Sequence, residues 1–362
     1  MRGLPTPERR HIVDTPSQRH FVLQPYRTSM PEGHGTDPQP LKREHVASFL
    51  ARLYDRPVAH LEPLGGGFWS SAWGYQANGE ELVVRFGRNK SWYEIDRMAM
   101  AFDGQGLPVP AVRDVGIAPD GRAYAISERH RGIFLEEIPI EQAPALAPTL
   151  TGLLVALHDV SAAPDASVLW HSPDAPPVSW RQFLMAGLVD DPDSMVHGWS
   201  ASLSADPTLS RLSLGATERI SALADALPER RDLVHGDLLH GNVLVSPDAR
   251  RVEAVYSWKC SVRGDFLYDA AWCTFWAPWH EGIAAMEPLA GVLAAPTVRV
   301  DPSALVDAAA RHHCYELQIG YTHLGWNIWT GIQSDLDATA KRLSEVLDRG
   351  PLPRLEVPRS TP

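Results

Sequence analysis

The chain has 362 residues, 44% of them hydrophobic, and a formal net charge of −11. That length supports one large or two moderate cores, and the acidic balance argues against a nucleic-acid partner, because phosphate contacts need clustered Lys and Arg. Three cysteines (Cys260, Cys273, Cys314) form no paired motif, which points to a reducing, cytoplasmic setting; no apolar run reaches the roughly 18–20 residues of a membrane span, and the start lacks a signal-peptide core.

Residues 1–40 mix Pro, Gly, Ser and His without a period and read as a flexible extension, with Met30 as a later start. The stretch 41–55 then sets Val46, Phe49, Leu50 and Leu53 on one helical face. From 60 the pattern predicts a strand, a Gly-rich turn (GGGFWSS, 65–71), a second strand, a tight Asn-Gly turn and a third strand ending at Arg85. SWYEIDRMAMAFDGQG predicts a helix stopping at a glycine, LPVPAV an extended segment, and AYAISERHRG (123–132) a strand leading to a connector. After about 133 the pattern turns helical, with APALAPTLTGLLVALHDV, ATERISALADAL and 301–347 as helical stretches. One hairpin, NVLVSPDARRVEAVYSW, interrupts them, and 351–362 carries four prolines and reads as a frayed tail. The expected class is α+β, with a sheet-rich lobe at 41–132 and a larger helical lobe at 133–350.

LVHGDLLHGNVLV (233–245) places His235, Asp237 and Asn242 in fixed order between apolar runs. A phosphoryl-transfer enzyme must position a hydroxyl and neutralise charge on the moving phosphate. The spacing Asp-x-x-x-x-Asn suits this, since one loop can point both residues into a cleft. Asp237 would orient the hydroxyl and take its proton, and Asn242 would offer a neutral oxygen to Mg²⁺. The hairpin returns the chain to that cleft at AVYSWKCSVRGD (254–265), where a second acid is expected and Ser257 stands.

HGDLLHGN, followed by VYSW and GDFLYDAAW, resembles the catalytic segment of the aminoglycoside phosphotransferase family, a small-molecule branch of the protein-kinase-like fold. LVVRFG, LPVPAVRDVG, AISERHRG, WRQF and FWAPW are similar to its hygromycin B phosphotransferases, and the resemblance runs over about 60–345. It implies a two-lobed fold with a nucleotide-binding N-lobe and a C-lobe that holds the catalytic loop and acceptor cleft. It implies Asp237 as catalytic, Asn242 and position 257 (normally Asp) as metal ligands, and His235, Asp265 and Asp269 as supports of the loop. Gly65, Gly66, Gly67 and Ser70 would lie over the phosphates, with Arg85 on phosphate oxygens. The helix partner of Arg85 is Asp96 or Glu94, and Asp96 fits the Asp-Arg pair better. The base would meet the backbone from Ser127 to Arg129. Trp276 and Trp279 would stack on sugar rings, with Glu281 nearby. The implied co-substrate is ATP or GTP, the cofactor Mg²⁺, and the partner a small cationic sugar or aminocyclitol.

The family pattern Ile-Asp-Trp is replaced by Tyr256-Ser257-Trp258, and Lys259 brings a positive charge to the same hairpin end. A loss of ~4 kcal/mol in transition-state stabilisation would slow turnover about a thousandfold. Two readings of this change follow: a kinase whose metal site is rebuilt with Glu253 or Asp265, and a pseudokinase that binds nucleotide or cationic sugar without turnover. Independently of it, one fold hosts many acceptors, which leaves a metabolic kinase for choline, an amino alcohol or a sugar as a third. Strand alternation puts 253 and 257 on one face but four residues apart, which argues against Glu253. LVDDPDS (188–194) offers acidic charge to ammonium groups or to solvent, and the adjacent His312 and His313 face different directions on a helix.

Overall fold

A computed structural model describes residues 41–67, 69–104, 106–160, 179–295 and 300–352. The expectations for 1–40 and for 353–362 of the tail lie outside the described residues.

Helix α1 (Arg43–Leu53) precedes three strands, β1 (Ala59–Gly67), β2 (Ser70–Ala77) and β3 (Glu80–Gly87). Helix α2 (Lys90–Ala99) and strands β4 (Val112–Ile117) and β5 (Ala123–Glu128) complete the first lobe. The sheet is antiparallel throughout, in the order β1-β2-β3-β5-β4. Asn78 and Gly79, with φ of 53° and 83°, close the β2–β3 hairpin, a turn whose twist matches that of the paired strands.

One face of the sheet is covered by α1, where Phe49 meets Phe86 and Tyr124 edge-on at 5.3 and 4.9 Å. Val46 and Leu50 are fully buried beside it, whereas Leu53, expected on the same face, is 39% exposed. Leu53 ends the helix, one turn beyond the contact with the sheet. The other face packs on α2 through Tyr93, Val112, Val115, Ala123 and Ala125. Asn89 starts α2 by accepting the Ser91 N–H at 3.0 Å. The underside of α2 (Ile95, Ala99), with Phe102, Leu107 and Val109, belongs to the main apolar core of the second lobe. The two lobes therefore share a core along α2.

The second lobe runs β6 (Ile133–Phe134), α3 (Ala143–Asp159), α4 (Trp180–Ala186), α5 (Ser200–Ala205), α6 (Pro207–Ala224), β7 (Asp232–Val234), β8 (Val243–Val245), β9 (Val252–Val255), β10 (Val262–Gly264), α7 (Leu267–Trp276), α8 (Glu281–Ala284), α9 (Pro288–Leu293), α10 (Ala308–Thr330) and α11 (Gln333–Arg349). A β6-β8-β9 sheet and a β7–β10 ribbon are set among the helices. Contrary to the sequence expectation, one stretch, 140–159, is long and apolar enough to cross a membrane. Leu146, Leu150, Leu153, Leu154 and Leu157 are buried in the core of the lobe, which accounts for its apolar composition. The glycine of the Gly-Asp pair has a packing reason: a Cβ at Gly264 would lie 2.1 Å from the ring of Trp180. That ring is buried, and its indole N–H donates to the Tyr315 hydroxyl at 3.0 Å.

Candidate active site

Asp237 lies on the loop between β7 and β8. Asp269, in the first turn of α7, is fully buried and accepts the N–H groups of His235 at 2.8 Å and Gly236 at 2.9 Å. Gly236 has φ +77°, and a Cβ there would lie 2.8 Å from the Cys260 carbonyl, so the loop entry requires glycine. His235 accepts the Asp237 N–H on Nδ1 at 3.2 Å and donates from Nε2 to the Tyr256 carbonyl at 2.8 Å. This network assigns the neutral tautomer, and burial keeps the imidazole below its ordinary pKa. Burial pushes the Asp269 carboxyl up to about 7, with the two N–H donors opposing and the Asp237 charge assisting.

The Asn242 amide N–H₂ donates to the carbonyls of Asp237 and Leu239, both at 2.8 Å, which leaves its Oδ1 as the atom for a ligand. Asp237 itself meets His240 Nδ1 at 2.9 Å. Burial opposes the imidazolium of His240, but its hydrogen bond to Asp237 and the charge of that carboxylate prevail, and the pKa lies above the ordinary value. Glu136 accepts the Gly241 N–H from below the loop, and burial raises its carboxyl pKa.

Asp265 does not touch this loop. It is fully buried and receives Arg311 Nε and Nη2 at 2.7 Å each, the Tyr315 hydroxyl at 2.6 Å and the Leu267 N–H at 3.1 Å. Its bonds tie α10 to the start of α7, so of the two acids only Asp269 holds the loop directly.

On the other side of the cleft, Arg85 of β3 pairs with Asp96 of α2 at 2.5 Å. Glu94 instead pairs with Lys90 and Arg97 on the helix surface. The second oxygen of Asp96 accepts the Trp258 N–H at 2.8 Å, which ties the first lobe to the residue after Ser257. Arg85 Nε is buried without a protein partner. Gly66 and Gly67 end β1 opposite Ser71 and Ser70, and Gly65 has φ +89°.

The backbone segment expected to read a base is largely committed. Ser127 is 3% exposed within β5, the Glu128 N–H donates to Ala111 O, and the Arg129 N–H to Glu81 O. The ladder continues past Ser127, and the Arg129 side chain lies over Gly74 of β2 and pairs with Glu62 at 2.6 Å. One residue further, the His130 N–H faces the phenol of Tyr256.

Residue 257 offers only a neutral hydroxyl, on a backbone with φ +62°. Neither expected substitute reaches it: Glu253 pairs with Arg251 at 2.8 Å, and Asp265 is held by Arg311. Among the described residues no group of three or more His, Cys, Asp or Glu could hold a metal ion. The neutral oxygens of Asn242 and Ser257 do not fit Mg²⁺, which in phosphate sites is held by one or two carboxylates together with waters and phosphates.

Beside the Asp237–His240 pair stands an aromatic wall. Trp276 lies 5.5 Å from His240 and 5.3 Å from Trp279, Trp272 lies 5.9 Å from His240, and His323 of α10 meets both Trp272 and Trp276. The indole N–H groups of Trp272 and Trp276 are buried without a partner. Glu281 is exposed at the start of α8. Sequence reasoning singled out Trp276 and Trp279 but missed Trp272, His240, Glu136 and His323. Trp272 carried a usable signal, its four-residue spacing from Trp276 on one helix face, and His240 lay within the motif. His323 comes from a distant helix and had none. Two other sequence features are structural here. Asp190 of the acidic stretch accepts the Gly198 and Ser200 N–H groups at the start of α5, and His312 is buried against Glu316 and Thr274.

A model of the phosphotransferase enzyme family matches residues 60–302 of the chain. The hygromycin-B 4-O-kinase of Escherichia coli is 31% identical over 248 residues, 67% of this chain and 68% of that protein. An aminoglycoside 3'-phosphotransferase of Streptomyces fradiae is 32% identical over 157 residues, 41% of this chain and 51% of that protein. Among solved structures, aminoglycoside phosphotransferase APH(4)-Ia superposes with a TM-score of 0.71 at 26% identity, over 84% of this chain and 98% of its own. A thermostable mutant of it, in ternary complex with AMP-PNP and hygromycin B, gives a TM-score of 0.70 at the same identity and coverage.

Proposed function

The chain belongs to the phosphotransferase enzyme family, whose characterised relatives here are aminoglycoside kinases, and from that premise we propose that it moves the γ-phosphoryl of ATP or GTP to a hydroxyl of an aminoglycoside or aminocyclitol such as hygromycin B. The observation that carries this reading is the Asp237 carboxylate, held by the braced β7–β8 loop between the Arg85–Asp96 pair and the aromatic wall of α7. An acceptor O–H would donate to Asp237, its oxygen would attack the γ-phosphorus, and the bond to the β-phosphate oxygen would break to release the nucleoside diphosphate. Arg85, through its unpartnered Nε, would hold phosphate oxygen, and Asn242 Oδ1 would face the same space. Trp272 and Trp276 would offer ring faces and N–H donors to a sugar. The setting is cytoplasmic in this reading, with no disulfide among the three cysteines.

The missing carboxylate at 257 supports a second reading, a pseudokinase that binds nucleotide or cationic sugar without turnover. The experiment is transfer of γ-labelled phosphate from ATP or GTP to a panel of hygromycin B, other aminoglycosides and choline, with Asp237→Ala in parallel. Transfer to an aminoglycoside that vanishes in Asp237→Ala is the expected result. Transfer to choline alone would replace the acceptor class, and binding without any transfer would establish the second reading.

A further inference from the structure

The hairpin end that lacks a carboxylate carries a cation instead. Lys259 sits on the short turn after Ser257, and its Nζ lies 5.5 Å from the ring centre of Trp69 and 5.2 Å from that of Trp92. These are distances at which an ammonium is attracted to the negative face of an indole. The two indoles meet edge-on at 5.4 Å and come from two elements of the first lobe, Trp69 from the tip of the glycine-rich hairpin and Trp92 from the first turn of α2. Among the described residues no carboxylate lies within ion-pair distance of Lys259. The π faces position the ammonium while leaving its N–H donors without an anionic partner.

The location matters as much as the company. The preceding residue, Trp258, is bonded through its N–H to the same Asp96 that holds Arg85. The Lys259 charge reaches the Asp237 loop. It adds to burial in disfavouring protonation of His235, and it opposes the imidazolium of His240. Lys259 thus stands where the glycine-rich hairpin, the Arg85–Asp96 pair and the Asp237 loop converge.

A carboxylate holding a divalent cation presents a single net positive charge to the phosphates. A neutral serine with one ammonium presents the same single charge. An ammonium is a compact point charge well suited to phosphate oxygen, and it also repels a divalent ion from the same space. The poor fit of Asn242 and Ser257 to Mg²⁺ and the placement of Lys259 are then two sides of one arrangement.

We propose that Lys259 is a nucleotide-positioning residue whose ammonium binds the polyphosphate in place of a protein-held divalent cation, so that this protein retains nucleoside triphosphate when no divalent metal is present. The inference rests on the proposed phosphotransferase reading and specifies how that site holds its co-substrate.

The test is calorimetric titration of the full chain with ATP, and separately GTP, in excess EDTA and in Mg²⁺. Parallel titrations use Lys259→Met, Lys259→Arg and Lys259→Met combined with Ser257→Asp, each checked for an unchanged thermal transition. The expected result is binding in EDTA within about threefold of that in Mg²⁺, about tenfold or more weaker in Lys259→Met and largely kept in Lys259→Arg. The combined variant should bind only with Mg²⁺. Binding by the parent chain that needs Mg²⁺, or equal affinity of Lys259→Met and parent in EDTA, would overturn the inference and leave the phosphotransferase reading intact. Absence of nucleotide binding under both conditions would overturn both.

Discussion

Arg85 and Asp96 meet at 2.5 Å inside the cleft, with only 15% and 7% of their side chains exposed. Asp96 also receives the Trp258 N–H, so one carboxylate sets a guanidinium and the hairpin end together. Asp96→Ala leaves a buried cation unpaired, and the expected loss is about 3–5 kcal/mol of unfolding free energy. Urea denaturation followed by tryptophan fluorescence measures it. A loss below 1 kcal/mol would mean that Arg85 finds another partner.

Asp237→Ala removes the group proposed to accept the hydroxyl proton. The rate of phosphoryl transfer should fall about 10²- to 10⁴-fold, while nucleotide affinity measured by calorimetry stays within a factor of two to three. A parallel loss of affinity would assign Asp237 to binding rather than to proton transfer.

His240 gives the site a pH dependence. Its protonated ring donates to Asp237 and lowers the basicity of that carboxylate, so transfer should rise with pH through an inflection above the ordinary imidazole value. The inflection should be absent from the profile of His240→Gln. Stability runs the other way: a raised histidine pKa contributes stability in full below the ordinary value, and that contribution is lost as pH rises through the folded pKa. Melting curves across the same pH range test this second limb.

Asp265 anchors α10 from within the core. Arg311→Ala would strip both prongs from a fully buried carboxylate, with an expected cost of about 3–5 kcal/mol. Tyr315→Phe removes one bond to the same charge and should cost about 1.5–3 kcal/mol. Neither side chain touches the Asp237 loop, so the surviving folded fraction should retain its nucleotide affinity.

Gly264 is pressed against Trp180, and any side chain there collides with a ring that has no space to move. Gly264→Ala should destabilise by about 1–3 kcal/mol, and shaving the neighbour in Trp180→Phe should soften the effect. A double-mutant cycle by thermal unfolding reads that coupling directly.

The elements around the site were legible wherever periodicity and turn chemistry agree. The Asn78–Gly79 hairpin, the helix ending near Gly104 and the β8–β9 hairpin all follow from local rules. Asp269 could be paired with the loop only through the family resemblance, because thirty-odd residues separate it from His235. Asp265 braces α10 rather than the loop: its partners Arg311 and Tyr315 lie on α10, and no local pattern reports a contact across that distance. Leu53 continued a helical face that the sheet does not reach. The 140–159 stretch carries Glu141, Pro144 and Pro148, which interrupt its apolar run although its mean hydropathy meets that of a membrane span. Lys259 was visible as a charge, but its place between two indoles required the fold.

Trp69, at the tip of the glycine-rich hairpin, also meets Trp326 of α10 at a tilt, 5.4 Å away, and stacks on Trp329 of the same helix at 6.1 Å. The roof of the cleft is thereby latched to the far lobe. Any movement of the hairpin tip away from α10 has to break these ring contacts, so the first lobe is tied to the second at a point far along the chain from α2.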